Sequence, residues 1–254
     1  MAVTARQAVE LFHLVFLRAL VAKGDDKGLF AVKGGANLRF FFGSVRYSED
    51  IDLDVTVVAR STLKNRIDRL LPSPIVAAPL RAHGIEAVDV SAPKQSETTQ
   101  RWKVGLRVEG IPVPLRTKIE FSRRDRVEGA AFEAVDAAIT RSYSLSPFLA
   151  THYGAEKAIA QKVLALAGRS EPQARDVFDL SHLFARSGAA ANLSTAADKA
   201  RLPAAIERAT SLSFDEYSSQ VVAYLDPEQR PIFAGRHAWE AMQDAVVSRL
   251  EALR

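Results

Sequence analysis

Residues 50–57 constrain this chain more than any other stretch, because carboxylate-bearing and apolar residues alternate there. Asp50, Asp52 and Asp54 carry the carboxylates. The apolar positions of the pattern are Ile51, Leu53, Val55 and Val57. A period of two residues is typical of a β-strand and puts the three carboxylates on one face. Because aspartate is a poor strand former, three aspartates on one face indicate a functional role in addition to solvent exposure.

Carboxylates this close together need a counter-charge. Each raises the pKa of the next unless a cation neutralises them, and a hard divalent ion with oxygen ligands would do so. A calcium-binding loop shares the Asp-x-Asp-x-Asp spacing, but it needs Gly at its sixth position and Glu at its twelfth. This chain has Val55 and Ser61 there. Two interpretations remain: a divalent-metal site, and the solvated face of an amphipathic strand.

A glycine turn precedes the aspartate-rich strand. The apolar residues 29–32 lead into Lys33, Gly34 and Gly35, after which residues 38–42 begin an aromatic-rich helical segment. Paired glycines let a backbone approach a ligand closely, and the free N–H groups at a helix start suit an anionic phosphate. The pattern therefore predicts a strand, a turn and a helix start that favour phosphate binding.

Two motifs in this chain resemble those of a known family. The first runs Lys33-Gly34-Gly35-Ala36-Asn37-Leu38 and then Arg46-x-Ser48-Glu49-Asp50-Ile51-Asp52-Leu53. The second runs Ala160-Gln161-Lys162, Ala165-Leu166, Arg169 and Arg175-Asp176-x-x-Asp179-Leu180, with Gln161 where the family usually has Glu. Both resemble the AbiEii/MenT family of nucleotidyltransferase-like toxins. The resemblance implies an α+β, polymerase-beta-like nucleotidyltransferase fold: a small mixed sheet flanked by helices, followed by a C-terminal helical region.

The resemblance assigns three carboxylates to a metal. Asp50 and Asp52 would be metal ligands, and Glu120, on a strand beside the aspartate strand, would be the third carboxylate and would help to deprotonate the attacking hydroxyl. Glu120 also lies among basic residues, so an ion pair is its plainer interpretation. In that case Asp54 would be the third carboxylate.

The resemblance also assigns residues to the nucleotide. Gly34, Gly35, Ser48 and Lys162 would contact the phosphates, and Asp176 would support the site. The resemblance further makes Ser48 the position that a kinase-type antitoxin would phosphorylate, whereas its plainer interpretation is a turn residue. The plainer interpretation of Asp176, and of Asp179, is that each stabilises the start of its own helix through the helix dipole.

Residues 93–99 are predicted to be a polar loop. A β-hairpin follows in residues 102–121, with Glu109-Gly110 at its turn. Between residues 101 and 126 the chain has eight Lys or Arg against three acidic residues, a local charge of +5. We expect sequence-independent contacts to RNA phosphates along this basic stretch. The candidates are Arg101, Lys103, Arg107, Arg123, Arg124 and Arg126.

Ala-rich helical patterning replaces strand alternation from residue 127 onward. We therefore predict a nucleotidyltransferase-like α/β core at residues 1–135 and a helical domain at 136–254 that completes the active-site cleft. Residues 190–254 are predicted to be further helices with no recognisable catalytic motif, and helix packing is their default role.

Composition and absent motifs exclude several other functions. The chain has no cysteine, and so no disulfide framework and no thiol nucleophile. It lacks Gly-x4-Gly-Lys-Ser/Thr, Gly-x-Gly-x-x-Gly, His-Glu-x-x-His and Gly-x-Ser-x-Gly. With no apolar run at its start that could span a bilayer, we expect a cytoplasmic protein without a membrane partner.

The resemblance implies an Mg²⁺- or Mn²⁺-dependent toxin that transfers a nucleoside monophosphate from an NTP to RNA, with a tRNA 3′ end as acceptor. Such a reaction would block translation, serve in phage defence and require a cognate antitoxin. The residues alone indicate only metal, phosphate and a basic surface. Three alternatives stay open: a nucleotidyltransferase acting on a small molecule, a kinase of a protein or nucleotide, and a non-catalytic nucleotide-binding module.

Overall fold

The first helix supplies part of the hydrophobic core. In the computed structural model, α1 spans Ala5–Leu20, and the Thr4 and Gln7 side chains form a capping box at its start. The apolar stripe that includes Phe12 and Phe16 is fully buried. Because α1 packs against three strands, its apolar stripe becomes part of the core beneath the sheet.

The structure describes residues 3–22, 28–123, 127–187 and 199–254. Within these ranges no helix is both long and apolar enough to cross a membrane. The chain forms two units. The first contains Met1–Phe41 and Tyr47–Tyr153, and the second contains Phe42–Arg46 and Gly154–Arg254.

A seven-stranded mixed sheet forms the centre of the first unit, with strand order β3-β4-β5-β2-β1-β7-β6. The β2–β5 and β1–β7 pairs are parallel, and the other neighbours are antiparallel. The strands are β1 Phe30–Lys33, β2 Ile51–Val55, β3 Ile85–Gln95, β4 Thr99–Val108, β5 Ile111–Ser122, β6 Ala130–Ala134 and β7 Leu149–Tyr153. The remaining helices that begin in this unit are α2 Gly34–Phe42, α3 Arg60–Leu70, α4 Pro74–Arg81 and α5 Ala137–Ser142.

The two faces of this sheet differ. On β4, Trp102 and Val104 are fully buried, whereas Lys103 between them is exposed. The buried face belongs to the core, and the opposite face of β3, β4 and β5 carries charged side chains. The alternation read from the sequence therefore separates core from solvent as predicted.

Two sequence predictions about this unit are wrong. Residues 93–99 were expected to be a polar loop, but β3 continues to Gln95 and β4 begins at Thr99. The patterning predicts helices in place of strands from residue 127 onward, but β6 and β7 both lie beyond that point, on either side of α5. The sequences of β6 and β7 do not alternate strictly between apolar and polar residues, so their periodicity does not reveal them. Since β7 pairs with β1, the first unit extends to Tyr153, beyond residue 135.

Helices make up the long segment of the second unit, after Tyr153. They are α6 Ala155–Gly168, α7 Ala174–Ser187, α8 Leu202–Ser211, α9 Phe214–Gln220, α10 Arg230–Phe233 and α11 Arg236–Glu251. Helices α6 and α11 each pack against both α7 and α8. Trp239 of α11 is buried and stacks on Tyr217. A mixed sheet flanked by helices and followed by a helical region confirms the predicted fold class.

Candidate active site

The predicted glycine turn joins β1 to α2. Gly34 is the first residue of α2 and has φ +68°, a left-handed conformation that side chains disfavour. A Cβ at Gly34 would lie 3.0 Å from Asp52 Oδ2, so the turn lies directly against the Asp52 side chain. Glycine at this position therefore permits both the turn and the close approach to Asp52.

Asp52 belongs to a line of charged residues that crosses five strands. Its register partners are Lys33 on β1 and Glu120 on β5. Glu120 is opposite Arg101 on β4, and Arg101 is opposite Lys94 on β3. Directly paired residues point to the same face of a sheet, so the five residues form one row. We call Lys33, Asp52, Glu120, Arg101 and Lys94 the charge row.

Asp50 lies just before β2 and is held by side-chain contacts. Its Oδ1 accepts a hydrogen bond from the backbone N–H of Lys118 at 3.1 Å. Its Oδ2 forms an ion pair with Lys118 Nζ at 2.7 Å. The Ser48 hydroxyl donates to the backbone carbonyl of Asp50 at 2.8 Å. The Asp50 carboxylate is therefore fixed beside β5, the strand that also carries Glu120.

The third aspartate of the alternating pattern is inaccessible. Asp54 is fully buried and forms an ion pair with Lys33. Its Oδ2 also accepts a hydrogen bond from the Tyr153 hydroxyl at 2.8 Å. These contacts connect β2 to β1 and β7, so Asp54 helps to join the middle of the sheet.

Burial and two neighbouring carboxylates raise the pKa of Asp52 to about 6. Burial has the largest effect, followed by the negative charges of Asp50 and Glu120, and Lys33 and Lys118 offset part of the rise. The charged form of Asp52 is thus destabilised. A further cation between these carboxylates would relieve that repulsion.

The electrostatic repulsion between Asp52 and its two neighbouring carboxylates favours a divalent metal at this position. Asp50, Asp52 and Glu120 offer the oxygen ligands that Mg²⁺ and Mn²⁺ prefer, and their charges act on one another at Asp52. Within the part of the chain that the structure describes, no three acidic or histidine side chains are already arranged around a point that could hold a metal. Asp50 and Glu120 instead form ion pairs with Lys118 and Arg101. The donor chemistry fits a metal, whose binding would require these carboxylates to turn from their present partners.

Glu120 pairs with an arginine from β4, whereas the basic residues near it on β5 pair with other carboxylates. Arg101 pairs with Glu120 at 2.6 Å, and both side chains are about one-third exposed. Lys118 pairs with Asp50, and Arg116 lies 3.4 Å from Asp89. The ion pair is compatible with both sequence interpretations of Glu120, since the same oxygens would serve a metal.

In the second unit, Lys162 sits in a buried cluster of charges. Its Nζ lies 3.0 Å from Asp176 Oδ1 and 2.6 Å from Asp179 Oδ2, and Arg169 Nε donates to Asp176 at 2.8 Å. Although burial lowers the pKa of Lys162, the two carboxylates outweigh it and raise the pKa overall. Lys162 is therefore a firmly charged ammonium group.

Arg46, a residue of the first sequence motif, also belongs to this cluster. Its Nε and Nη2 donate to Asp179 at 2.9–3.2 Å, and the Asp179 carboxylate is fully buried. Burial raises the Asp179 pKa, but the nearby Arg46 and Lys162 outweigh burial and lower it to about 2. Asp179 is thus a permanently charged anchor for Arg46 and Lys162.

The family model for the nucleotidyl transferase AbiEii toxin of type IV toxin–antitoxin systems matches residues 15–252. The chain belongs to the AbiEii family. AbiEii proteins are nucleotidyltransferases and the toxin halves of toxin–antitoxin systems. No curated protein is significantly similar to this chain in sequence.

Two solved structures from Helicobacter pylori share the fold of this AbiEii protein. JHP933 superposes with a TM-score of 0.60 at 17% identity, covering 99% of this chain and 96% of JHP933. A second protein, assigned as a nucleotidyltransferase, superposes with a TM-score of 0.59 at 19% identity, covering 96% of this chain and 95% of its own.

The predicted RNA-binding residues of the AbiEii protein that the structure describes do not all lie on one face of the sheet. Arg101 and exposed Lys103 lie on the charged face of β4, as does Arg107, which pairs with Glu86. Arg123 donates to Gln100 at 3.2 Å and to the Val58 carbonyl, which are structural contacts. Arg124 and Arg126 lie outside the described residues.

Sequence reasoning did not assign a role to two cations of this site. Lys118 binds Asp50 through both its N–H and its ammonium group, and Lys94 ends the charge row. Lys118 could have been identified from the sequence, because it has the same strand parity as Glu120. Lys94 could not, because it lay in a stretch predicted to be a loop.

Proposed function

We propose that this AbiEii toxin is a divalent-metal-dependent nucleotidyltransferase that moves a nucleoside monophosphate from an NTP to a hydroxyl group of RNA and releases pyrophosphate. We further propose that the acceptor is a tRNA 3′ end, so that the modified tRNA no longer serves translation and an infecting phage cannot multiply. One observation carries the proposal: Asp52 and Glu120 face each other on neighbouring strands, and Asp50 lies beside them.

In this proposal Asp50, Asp52 and Glu120 hold Mg²⁺ or Mn²⁺. The bound ion supplies positive charge to the phosphate oxygens and lowers the pKa of the acceptor hydroxyl. Glu120 has the further role of accepting the proton of that hydroxyl. Lys118 and Arg101 hold Asp50 and Glu120 in place until the substrate arrives.

The triphosphate is assigned to the glycine turn and to Ser48. The N–H groups at the start of α2, around Gly34 and Gly35, suit phosphate oxygens. The Ser48 hydroxyl donates to the Asp50 carbonyl, so it would exchange this bond for one to phosphate. An antitoxin that phosphorylated Ser48 would break the same bond and add negative charge beside Asp50.

The buried cluster of the second unit is assigned a role in nucleotide binding through Lys162. Lys162 contributes an ammonium group that Asp176 and Asp179 hold in one position. We expect Lys162→Met to weaken NTP binding, whereas Lys157→Met, an exposed lysine of the same helix, leaves it unchanged. Equal NTP affinity in the two variants would contradict this role for Lys162.

Incubation with each labelled NTP, Mg²⁺ and total RNA tests the proposed reaction. We expect label on RNA of tRNA size with the native chain and none with Asp50→Asn or Asp52→Asn. Asp89→Asn is the matched control, because Asp89 is an exposed strand aspartate that forms an ion pair with an arginine. Label on a small molecule or on protein would show that RNA is not the acceptor. NTP binding without any transfer would indicate a non-catalytic module.

A further inference from the structure

A buried chain of hydrogen bonds runs from α1 to the backbone beside Asp50. His13 Nε2 lies 2.7 Å from the Thr117 hydroxyl, and that hydroxyl donates to the Glu49 carbonyl at 2.7 Å. His13 and Thr117 are both almost fully buried. Neither residue belongs to the motifs that assigned the metal and the nucleotide.

The geometry determines which atom carries each proton. A carbonyl oxygen only accepts, so the single hydroxyl proton of Thr117 goes to Glu49. Nε2 of His13 must therefore carry a proton and donate it to Thr117. Burial lowers the pKa of His13 to about 3, so the ring is neutral at physiological pH. The chain is a neutral relay of two donated hydrogen bonds.

The relay acts where the sheet no longer positions the backbone. The β2–β5 ladder begins at Ile51 and Ile119, so Asp50 has no ladder partner of its own. Thr117 on β5 instead bonds the carbonyl just before Asp50, while the next N–H on β5, that of Lys118, bonds the Asp50 carboxylate. Asp52, by contrast, lies within the ladder and needs no such support.

We propose that His13 and Thr117 are positioning residues that set the orientation of the Asp50 carboxylate for its divalent cation. This inference rests on the proposed metal role of Asp50. Groups that hold a metal ligand in position commonly change metal affinity or activity by about 10- to 100-fold when they are removed. Neither His13 nor Thr117 touches the cation or the substrate.

The test measures Mn²⁺ binding to the full chain by calorimetry, without NTP or RNA. We expect Thr117→Val to weaken Mn²⁺ binding about 10-fold or more and Thr117→Ser, which keeps the hydroxyl, to restore it. Thr140→Val is the matched control, because Thr140 is also fully buried and donates to backbone carbonyls, here within α5. The inference is overturned if Thr117→Val binds Mn²⁺ as well as Thr140→Val does.

His13 supplies a second series in case Thr117→Val does not fold. His13→Met removes the donor and should weaken Mn²⁺ binding, whereas His13→Gln keeps an N–H near Nε2 and should retain most of it. Hydrogen exchange of the Lys118 amide, which donates to the Asp50 carboxylate, gives a readout that needs no metal. Exchange should rise in Thr117→Val and His13→Met and stay native in Thr140→Val, and unchanged exchange in both of the first two would overturn the inference.

Asp50→Asn separates this inference from the proposed function. If Asp50→Asn abolishes Mn²⁺ binding while Thr117→Val and His13→Met leave it intact, the metal assignment stands and the positioning role is wrong. If Asp50→Asn leaves Mn²⁺ binding unchanged, the metal assignment itself is wrong. In that case the positioning role for the metal is wrong with it.

Discussion

Asp52 lies among charges of both signs, and its ionisation affects how the stability of the chain depends on pH. Its pKa in the folded chain is about 6, above the ordinary value of 3.8. Between these values the folded state binds the Asp52 proton more tightly than the unfolded state. The free energy of unfolding therefore falls as the pH rises from about 4 to about 6, and the loss persists at higher pH.

We accordingly expect Asp52→Asn to be more stable than the native chain in metal-free buffer at neutral pH. The gain should be at most about 3 kcal/mol, the free energy of a shift of about two pKa units, and should shrink toward zero at pH 4. Urea unfolding of both proteins from pH 4 to pH 8 in EDTA checks this. A stability difference that does not change with pH would contradict the raised pKa of Asp52.

Glu120 can be tested against a similar ion pair in the same sheet. Glu86 pairs with Arg107 on β4, as Glu120 pairs with Arg101, but the Glu86 side chain is 59% exposed and that of Glu120 is 29% exposed. We expect both Glu120→Gln and Glu86→Gln to lower stability by only about 0–1 kcal/mol. Glu120→Gln alone should lower the transfer rate by orders of magnitude. Normal turnover in Glu120→Gln would leave it as an ion pair and return attention to Asp54.

The turn between β1 and α2 offers a test at the scale of an element. Gly34 and Gly110 both have positive φ, so alanine at either position costs about 1–2 kcal/mol of backbone strain. Nothing lies within 4 Å of a Cβ at Gly110, whereas at Gly34 it would meet Asp52. Gly34→Ala should therefore lower the transfer rate as well as stability, whereas Gly110→Ala should lower stability alone. The transfer rate and the thermal unfolding of both variants are measured. Equal activity in the two variants would show that the turn can move away from Asp52.

The elements differ in how far the sequence predicts them. Strict alternation predicts β2 and the β4–β5 hairpin because side-chain period alone separates the faces of a strand. The short strands β6 and β7 escape detection because they depend on tertiary pairing: β7 pairs with the distant β1, and β6 pairs with β7. Asp50 was predicted to lie within the strand, but side-chain bonds hold it just outside. The partners of Lys162 were partly predictable, since the motif places it near Asp176, but Arg46 as an anchor was not.

The distribution of charge over the molecule leads to a prediction about RNA. The net charge is only +4, so RNA affinity should depend on local cations. Lys94 and Lys103 are exposed on the charged face of the sheet, whereas Arg123 is bound to Gln100 and Val58. Lys94→Ser with Lys103→Ser should flatten the salt dependence of RNA binding by up to about two units, one per lost phosphate contact.

Arg123→Ser is the control for this double variant. Because Arg123 contacts the protein itself, its loss should lower stability and leave the salt dependence of RNA binding largely unchanged. Filter binding of labelled tRNA at several salt concentrations in EDTA measures the slope without any turnover. A native slope in the double variant would mean that the charged face of β3–β5 is only a solvated surface.

The parallel pairing of β2 with β5 has a consequence for how the toxin is made. Asp52 and Glu120 are neighbours across strands but far apart along the chain, with α3, α4 and two other strands between them. A contact of such long sequence separation forms only after the intervening chain has been ordered. On a translating ribosome the two carboxylates cannot meet until β5 has emerged. A nascent chain interrupted before that point would lack the carboxylate pair, and a cell would be exposed to its own toxin only after most of the first unit had been synthesised.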